Sequence, residues 1–399
     1  MTTPAKKPRA RATPAAPPAR PATWDVDALI DNEATRIIVC CGSGGVGKTT
    51  TAAALGLRAA ERGRRVCVMT IDPARRLAQS MGLTELDNEP RPVSGVQGDG
   101  ELSAMMLDMK RTFDEMVEGH ADADRAEQIL SNPFYQALSS SFAGTQEYMA
   151  MEKLGRLRAT ADSEGTWDLI IVDTPPSRSA LDFLDAPARM GSFLDGRFIR
   201  LLTAPARSAG KGFGRLVSTG FGMFTSVLTK VIGGQVLKDL QAFVGAFEAL
   251  FGGFRERAEA TYSLLQEEGT SFVVVAVPER DALREASYFV ERLKADQMPL
   301  AGLVLNRVQA TGAPMLSEEQ ALAGAERLDE AEEGELTSAL LHLHAQRMAT
   351  LSRQHHLADR FSGAHPGVAV AEVPAFAGDV HDLEGLRRVG RFLAGELSR

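Results

Sequence analysis

Cysteine is rare in this 399-residue chain, which has three in all. Cys40 and Cys41 are adjacent, so on a strand they point to opposite faces, which suits neither a disulfide nor a shared metal ion. No CxxC pair occurs, and an odd, low count fits a reducing cytoplasm. Long apolar runs are missing too: the longest uncharged stretch in the apolar region, 216–229, has 14 residues, against about 20 for a spanning helix. No transmembrane segment is expected. An excess of base is also lacking. The net charge is −8, which argues against a nucleic-acid partner, because displacing counterions needs a basic face. Of the histidines, His342 with His344 and His355 with His356 lack the i,i+4 spacing of a helical metal pair.

The charge is unevenly spread. Residues 1–24 hold Lys6, Lys7, Arg9, Arg11 and Arg20 with no acid, together with six of the 19 prolines. Such a segment buries too little apolar surface to fold and reads as a disordered tail. The remainder, 25–399, reads as a single domain. Continuous apolar runs recur at 36–41, 65–71, 103–109, 168–173, 271–277, 301–306 and 368–373. Unbroken runs of this kind suit strands buried on both faces. Helical stretches lie between them, so the expected fold is α/β, a mostly parallel sheet flanked by helices. Residues 187–265 break the pattern, being rich in Gly, Phe, Leu and Val. They read as an α-helical subdomain, either packed internally or presented to a client, a membrane or another subunit. Residues 317–335 hold eight acids against Arg327 alone, a solvated helix face.

The stretch CGSGGVGKTTT at 41–51 satisfies two patterns. Gly42-Ser-Gly-Gly-Val-Gly47 is GxGxxG, which with Asp72 after the next strand suggests a dinucleotide fold. Lys48 and Thr49 decide instead for the P-loop. Backbone N–H groups of Gly44, Gly45, Val46 and Gly47, with Thr50 behind them, wrap a phosphate chain. Lys48 supplies the cation, and Thr49 a hydroxyl for Mg²⁺. The cofactors read from this pattern are ATP and Mg²⁺.

Two carboxylates complete the constellation. Asp72 ends the second strand, where it can orient attacking water or a water on Mg²⁺; as a helix N-cap before Pro73 it has a structural role as well. Asp173 closes an apolar strand as a Walker B acid does, and Thr174 to Ser177 follow it as a phosphate-sensing loop. Lys48, Asp72 and Asp173 are the candidate catalytic residues, and Thr49, Asp72 and Asp173 the candidate metal set.

Taken together, GGVGKTT, DPA at 72–74, NPFYQALSSSFAGTQEYMAMEKL at 132–154, DTPPSRSALDFL, LVLNRV and the late EVPAF resemble the arsenite-pump ATPase (ArsA) family. That family includes ATPases that target tail-anchored membrane proteins. The resemblance spans nearly all of 34–395. It implies a P-loop ATPase with a helical subdomain, Asn306 hydrogen-bonded to adenine, and a loop from Pro374 to Phe376 over the base. It also implies paired ATP sites, hence a homodimer or a heterodimer, and a cytoplasmic protein coupled to a membrane-protein, transporter or hydrophobic-client partner through 187–265.

Three departures stand out. The family's loop normally begins with a lysine where this chain has Ser43, Asp72-Pro-Ala is followed by Arg75-Arg76, and Ser177-Arg178-Ser179 occupies the second switch. Neither arsenite-binding cysteines nor a zinc-binding CxxC is present. Three answers to the missing lysine stay open: a lysine-bearing paralogue as partner; Arg75, Arg76 or Arg178 as the cation; or an ATP-binding regulatory subunit with little hydrolysis of its own.

Overall fold

All seven apolar runs fall in strands of one sheet. In the computed structural model, residues 24–72, 76–133, 135–136, 145–175 and 254–397 are described. Residues 1–23 of the basic tail, most of the 187–265 segment, Arg75 and Pro176 to Ser179 lie outside them; Trp24, expected in the disordered tail, is instead buried, its N–H donating to the Val370 carbonyl at 3.3 Å. The strands are β1 (Ile37–Cys41), β2 (Arg65–Thr70), β3 (Arg91–Pro92), β4 (Glu101–Met106), β5 (Leu169–Asp173), β6 (Thr270–Ala276), β7 (Leu300–Val308) and β8 (Val370–Pro374). Their order is β3-β4-β2-β5-β1-β6-β7-β8. Every pairing is parallel except β3 with β4. The two-residue β3 has no apolar pattern and was not expected.

Alternation along the strands feeds two cores. Ile37, Val39 and Cys41 join Met69, Val172 and Val274 on one face. Ile38 and Cys40 join Val68, Ile171 and Val275 on the other. Cys40 and Cys41 thus point to opposite faces, and both are free thiols. The second face is covered by α1 (Val26–Asp31), α2 (Lys48–Glu61), α3 (Arg76–Ser80) and, late in the chain, α11 (Leu383–Leu393). The alanine-rich α2 lies close on the sheet, and burying its small side chains removes apolar surface from water. The first face is covered by α4 (Met109–His120), α5 (Ala123–Leu130), α6 (Thr145–Glu164), α7 (Phe254–Gln266) and α8 (Arg280–Ala295).

Between β7 and β8 the chain makes an antiparallel pair, α9 (Glu318–Glu330) and the 30-residue α10 (Glu335–Ala364). The acids at 317–335 lie on α9 and the turn after it. Ser317 caps α9 with a reciprocal bond to Gln320, which satisfies first-turn N–H groups that have no intrahelical acceptor.

Arg64 ties the N-terminal edge of the sheet together. Its guanidinium donates to Asp168 Oδ1 at 2.5 Å, to the carbonyls of Ile30 at 2.7 Å and Asn32 at 3.1 Å, and to those of Thr35 at 2.8 Å and Asp168 at 3.0 Å. A rigid five-donor fork can satisfy that many acceptors at once; an ammonium cannot. On the outer side of α2, Arg58 donates to Asp27 from Nε and Nη2, both at 2.6 Å, and to Glu396 at 2.5 Å.

Candidate functional site

The strand order reverses beside β1, and ligands of open α/β sheets bind outside the C-terminal strand ends at such a point. There β1 runs into the loop at 42–47, and α2 opens at Lys48. Two glycines in the loop are sterically obligatory. A Cβ on Gly42 would lie 2.1 Å from the Val275 carbonyl oxygen. Gly47 has φ +97°, and a Cβ there would lie 2.2 Å from Asn306 Nδ2. Gly44 and Gly45 are exposed at the loop's crest, and Val46 is buried beneath it. The loop's N–H groups and the first turn of α2 present a positive end to an anion.

Lys48 is buried, and its Nζ donates to the Ser43 carbonyl at 2.9 Å. Burial lowers its pKa, while the carboxylates of Asp173 and Asp72 hold it up. Asp173 is fully buried at the end of β5. Its Oδ2 accepts from Thr49 Oγ1 at 2.7 Å and from Thr70 Oγ1 at 2.8 Å. Burial pushes its pKa up to about 6 against those two hydroxyls and Lys48. Its other oxygen, Oδ1, is buried with no hydrogen-bond partner among the described residues. Asp72 leaves β2 with its N–H donating to Thr70 Oγ1 at 3.1 Å.

Asn306 reaches the loop from β7, its Nδ2 donating to the Val46 carbonyl at 2.8 Å. The pairing of β7 with β8 shifts register between Leu305 and Val308, and Arg307 sits at that irregularity with φ +58°. Pro374 ends β8. Phe376 lies against Phe392 of α11, ring centroids 5.9 Å apart, with the Arg388 guanidinium 4.9 Å from its centroid. Its neighbour Ala375, with Ser43 to Val46, Glu279, Arg307 and Gln354, lines a cleft of 580 Å³ beside the loop.

Most of the residues expected at the site therefore converge: Gly44 to Thr49, Asp72, Asp173 and Asn306 meet at one sheet edge, and Thr50 lies half-buried in the first turn of α2. Phe376 is directed to α11 instead. Among the arginines weighed as substitutes for the missing lysine, Arg76 is exposed at the start of α3; the other two lie outside the described residues. Thr70 was missed. Its signal is the β2–β5 register, which sets Thr70 beside Asp173 and which no spacing in the sequence reveals.

The donor set fits a magnesium-bound nucleoside triphosphate. A hard cation takes oxygen ligands and keeps several waters. Here a hydroxyl and a carboxylate lie 2.7 Å apart, the carboxylate has a buried oxygen with no partner among the described residues, and a buried lysine stands beside both. Among the described residues no group of His, Cys, Asp and Glu forms an all-protein metal cage, and no helix is long and apolar enough to cross a membrane.

Comparison with known proteins agrees with this geometry. The family model described as anion-transporting ATPase matches residues 35–328. The protein named ATPase GET3 from Lachancea thermotolerans is 23% identical over 376 residues, 92% of each chain. ATPase GET3 from Malassezia globosa is 25% identical over 280 residues, 70% of this chain and 75% of its own. ATPase get3 from Schizosaccharomyces pombe is 26% identical over 288 residues, covering 72% and 78%. With the match spanning the phosphate loop, both carboxylates and Asn306, this chain belongs to the anion-transporting (ArsA) ATPase family and is an ATPase.

Proposed function

We propose that this ATPase hydrolyses ATP at the site built on Lys48, Asp72 and Asp173, works as one of a pair of subunits, and couples its cycle to a membrane-protein, transporter or hydrophobic-client partner. The observation that carries the chemistry is Asp173, held on one oxygen by Thr49 and Thr70 and left with the other unpartnered among the described residues. Pairing and client are supported by the family match and by the resemblance to proteins that handle tail-anchored clients.

In this reading the loop N–H groups from Gly44 to Thr49 hold the phosphates, and Lys48 leaves the Ser43 carbonyl for the β- and γ-oxygens. Thr49 and Asp173 would hold Mg²⁺, which when bound would supply positive charge beside the phosphates. Asp72 orients the attacking water at the open side of the site. Asn306 and the Pro374 end of β8 face the base, with Phe376 beside them in the nucleotide-bound form. A lowered Lys48 pKa and a raised Asp173 pKa are both consequences of burial, and a bound phosphate and cation would relieve both penalties.

ATP turnover of the purified chain across protein concentration, beside Lys48→Ala, tests the reading. Turnover that depends on Lys48 and rises more than linearly with concentration supports a self-sufficient pair. ATP binding without turnover at any concentration rejects self-sufficiency and indicates that the catalytic cation comes from another protein. Absence of ATP binding rejects the site itself.

A further inference from the structure

One hydroxyl touches both acids of the site. Thr70 is the last residue of β2 and is 1% exposed. Its Oγ1 donates to Asp173 Oδ2 at 2.8 Å and accepts from the Asp72 N–H at 3.1 Å. The backbone holds it from two sides. The Ile71 N–H donates to the Asp173 carbonyl at 3.0 Å, and the Leu107 N–H donates to the Thr70 carbonyl at 2.9 Å. With the parallel register that sets Thr70 beside Asp173, these bonds fix its Cα. Branching at Cβ restricts χ1, so strand and side chain together aim the hydroxyl.

Thr49 donates to the same Oδ2 at 2.7 Å, but the two threonines stand differently. Thr49 lies half-buried in the first turn of α2. Its hydroxyl can offer a lone pair to a cation while its proton stays on Asp173. Thr70 has its proton on Asp173 and a lone pair on the backbone of Asp72, so it serves the two acids rather than a ligand. Together the two donors fill the lone pairs of Oδ2. Turning the carboxylate about χ2 would break both bonds. Its orientation is thereby set, and Oδ1, buried and without a partner among the described residues, is the oxygen left for the shell of a cation.

The second contact reaches the chain that leaves β2. Asp72 stands two residues beyond Thr70, and its N–H is anchored on the oxygen that also anchors Asp173. A displacement of either acid is therefore felt by the other through one atom. A hydroxyl is the group this requires, because it donates and accepts at once; valine, of the same branched shape, does neither.

We propose that Thr70 is a positioning residue for hydrolysis: its hydroxyl sets the orientation of Asp173 toward the magnesium ion and ties Asp72, placed to orient the attacking water, to the same point. It acts through the two carboxylates and not on the nucleotide. This rests on the catalytic reading of Asp72 and Asp173 above and adds the group that couples them.

The test uses the full chain as Thr70→Val, which removes the hydroxyl, and Thr70→Ser, which keeps it. Amide hydrogen exchange at Asp72 is read in the nucleotide-free protein, ATP affinity with magnesium and in EDTA, and turnover as kcat and KM. In Thr70→Val, exchange at Asp72 is expected to be about five- to tenfold faster, from the loss of one hydrogen bond. The gain in ATP affinity on adding magnesium is expected to shrink about tenfold, with affinity in EDTA within about twofold of wild type. The kcat is expected to fall about 10–100-fold, more than KM rises. Thr70→Ser should recover each quantity to within about threefold, the remainder reflecting its freer χ1. In Asp173→Asn, adding Thr70→Val should cost less than about twofold more of the magnesium gain, since Thr70 acts through that carboxylate. If turnover needs another protein, affinity and exchange decide in the same terms. Thr70→Val with the magnesium gain of wild type overturns the proposal. So does an equal loss in Thr70→Val and Thr70→Ser, or a loss of EDTA affinity as large as the loss of magnesium gain, since either marks a merely structural part. A wild type whose ATP affinity does not rise with magnesium overturns the reading of the metal set, and this proposal with it.

Discussion

Asn306 donates from Nδ2 to the Val46 carbonyl at 2.8 Å, joining the end of β7 to the phosphate loop across 260 residues of sequence. The loop's shape is thus held from outside as well as by its own glycines. A Cβ at position 47 would strike that same amide at 2.2 Å. Gly47→Ala is therefore expected to reduce ATP affinity by about 5- to 150-fold, from a strain of roughly 1–3 kcal/mol. Asn306→Ala in the Gly47→Ala background removes the clash together with Asn306's own contact with the nucleotide, so the double variant is expected to lose less than the sum of the two single losses. Isothermal titration of the two single variants and the double variant checks the coupling.

Asp173→Asn keeps the shape of the side chain and both hydroxyl contacts while removing the charge. Mg²⁺-dependent ATP affinity is expected to fall by about 10–100-fold, and turnover with it. Chelating Mg²⁺ from the wild type should produce the same loss, and in Asp173→Asn the metal dependence of binding should be nearly flat. Nucleotide titrations with and without magnesium read both.

Glu115 gives a stability test away from the site. Burial raises its pKa, but Asn88, Lys153 and Arg156 outweigh that and hold it below the usual carboxylate range; Lys153 Nζ lies 3.1 Å from Oε2. A carboxylate with a depressed folded-state pKa contributes stability above its unfolded value of about 4.3 and loses it as pH falls through the folded value. Glu115→Gln is expected to cost roughly 2–4 kcal/mol at pH 7. The gap from wild type should close below about pH 4. Urea unfolding at several pH values measures it.

Arg64→Lys retains the charge but cannot reproduce the five-donor fork that bonds Asp168 and three other carbonyls. It should destabilise by roughly 2–4 kcal/mol, visible as a lower urea midpoint with an unchanged slope. ATP affinity of the folded variant is expected to match wild type, because Arg64 lies at the far end of the sheet.

The strands were legible because a sheet covered on both faces needs unbroken apolar runs, and β1, β5 and β6 are written that way. The phosphate loop was legible because close backbone packing leaves few residue choices: Gly42 and Gly47 have no room for a side chain. Tertiary partners left no such mark. Thr70 meets Asp173 only through strand register, and Arg64 gathers acceptors scattered from Ile30 to Asp168. Asn306 entered through family resemblance rather than through any pattern of its own. The exposed leucines of α10, Leu336, Leu340 and Leu343, went unread because the polar residues between them break up the run in sequence, while the acids before them mark the segment as charged.

The anchoring of α2 has a consequence for synthesis on the ribosome. Its outer face is covered by α11, with Arg387 bonded to Glu61 across 326 residues and Arg58 to Glu396 across 338. Strand β1 likewise waits for β6, since Ile37 to Cys41 pair with Thr270 to Val274. At about 5–20 residues per second, the helix that opens the phosphate site emerges roughly 17–70 s before its last covering residues are made. The nascent N-terminal half must therefore be shielded by a holding chaperone, or remain unfolded, for that interval. Nucleotide binding by the nascent chain is accordingly expected to begin only once β6 and α11 have been made.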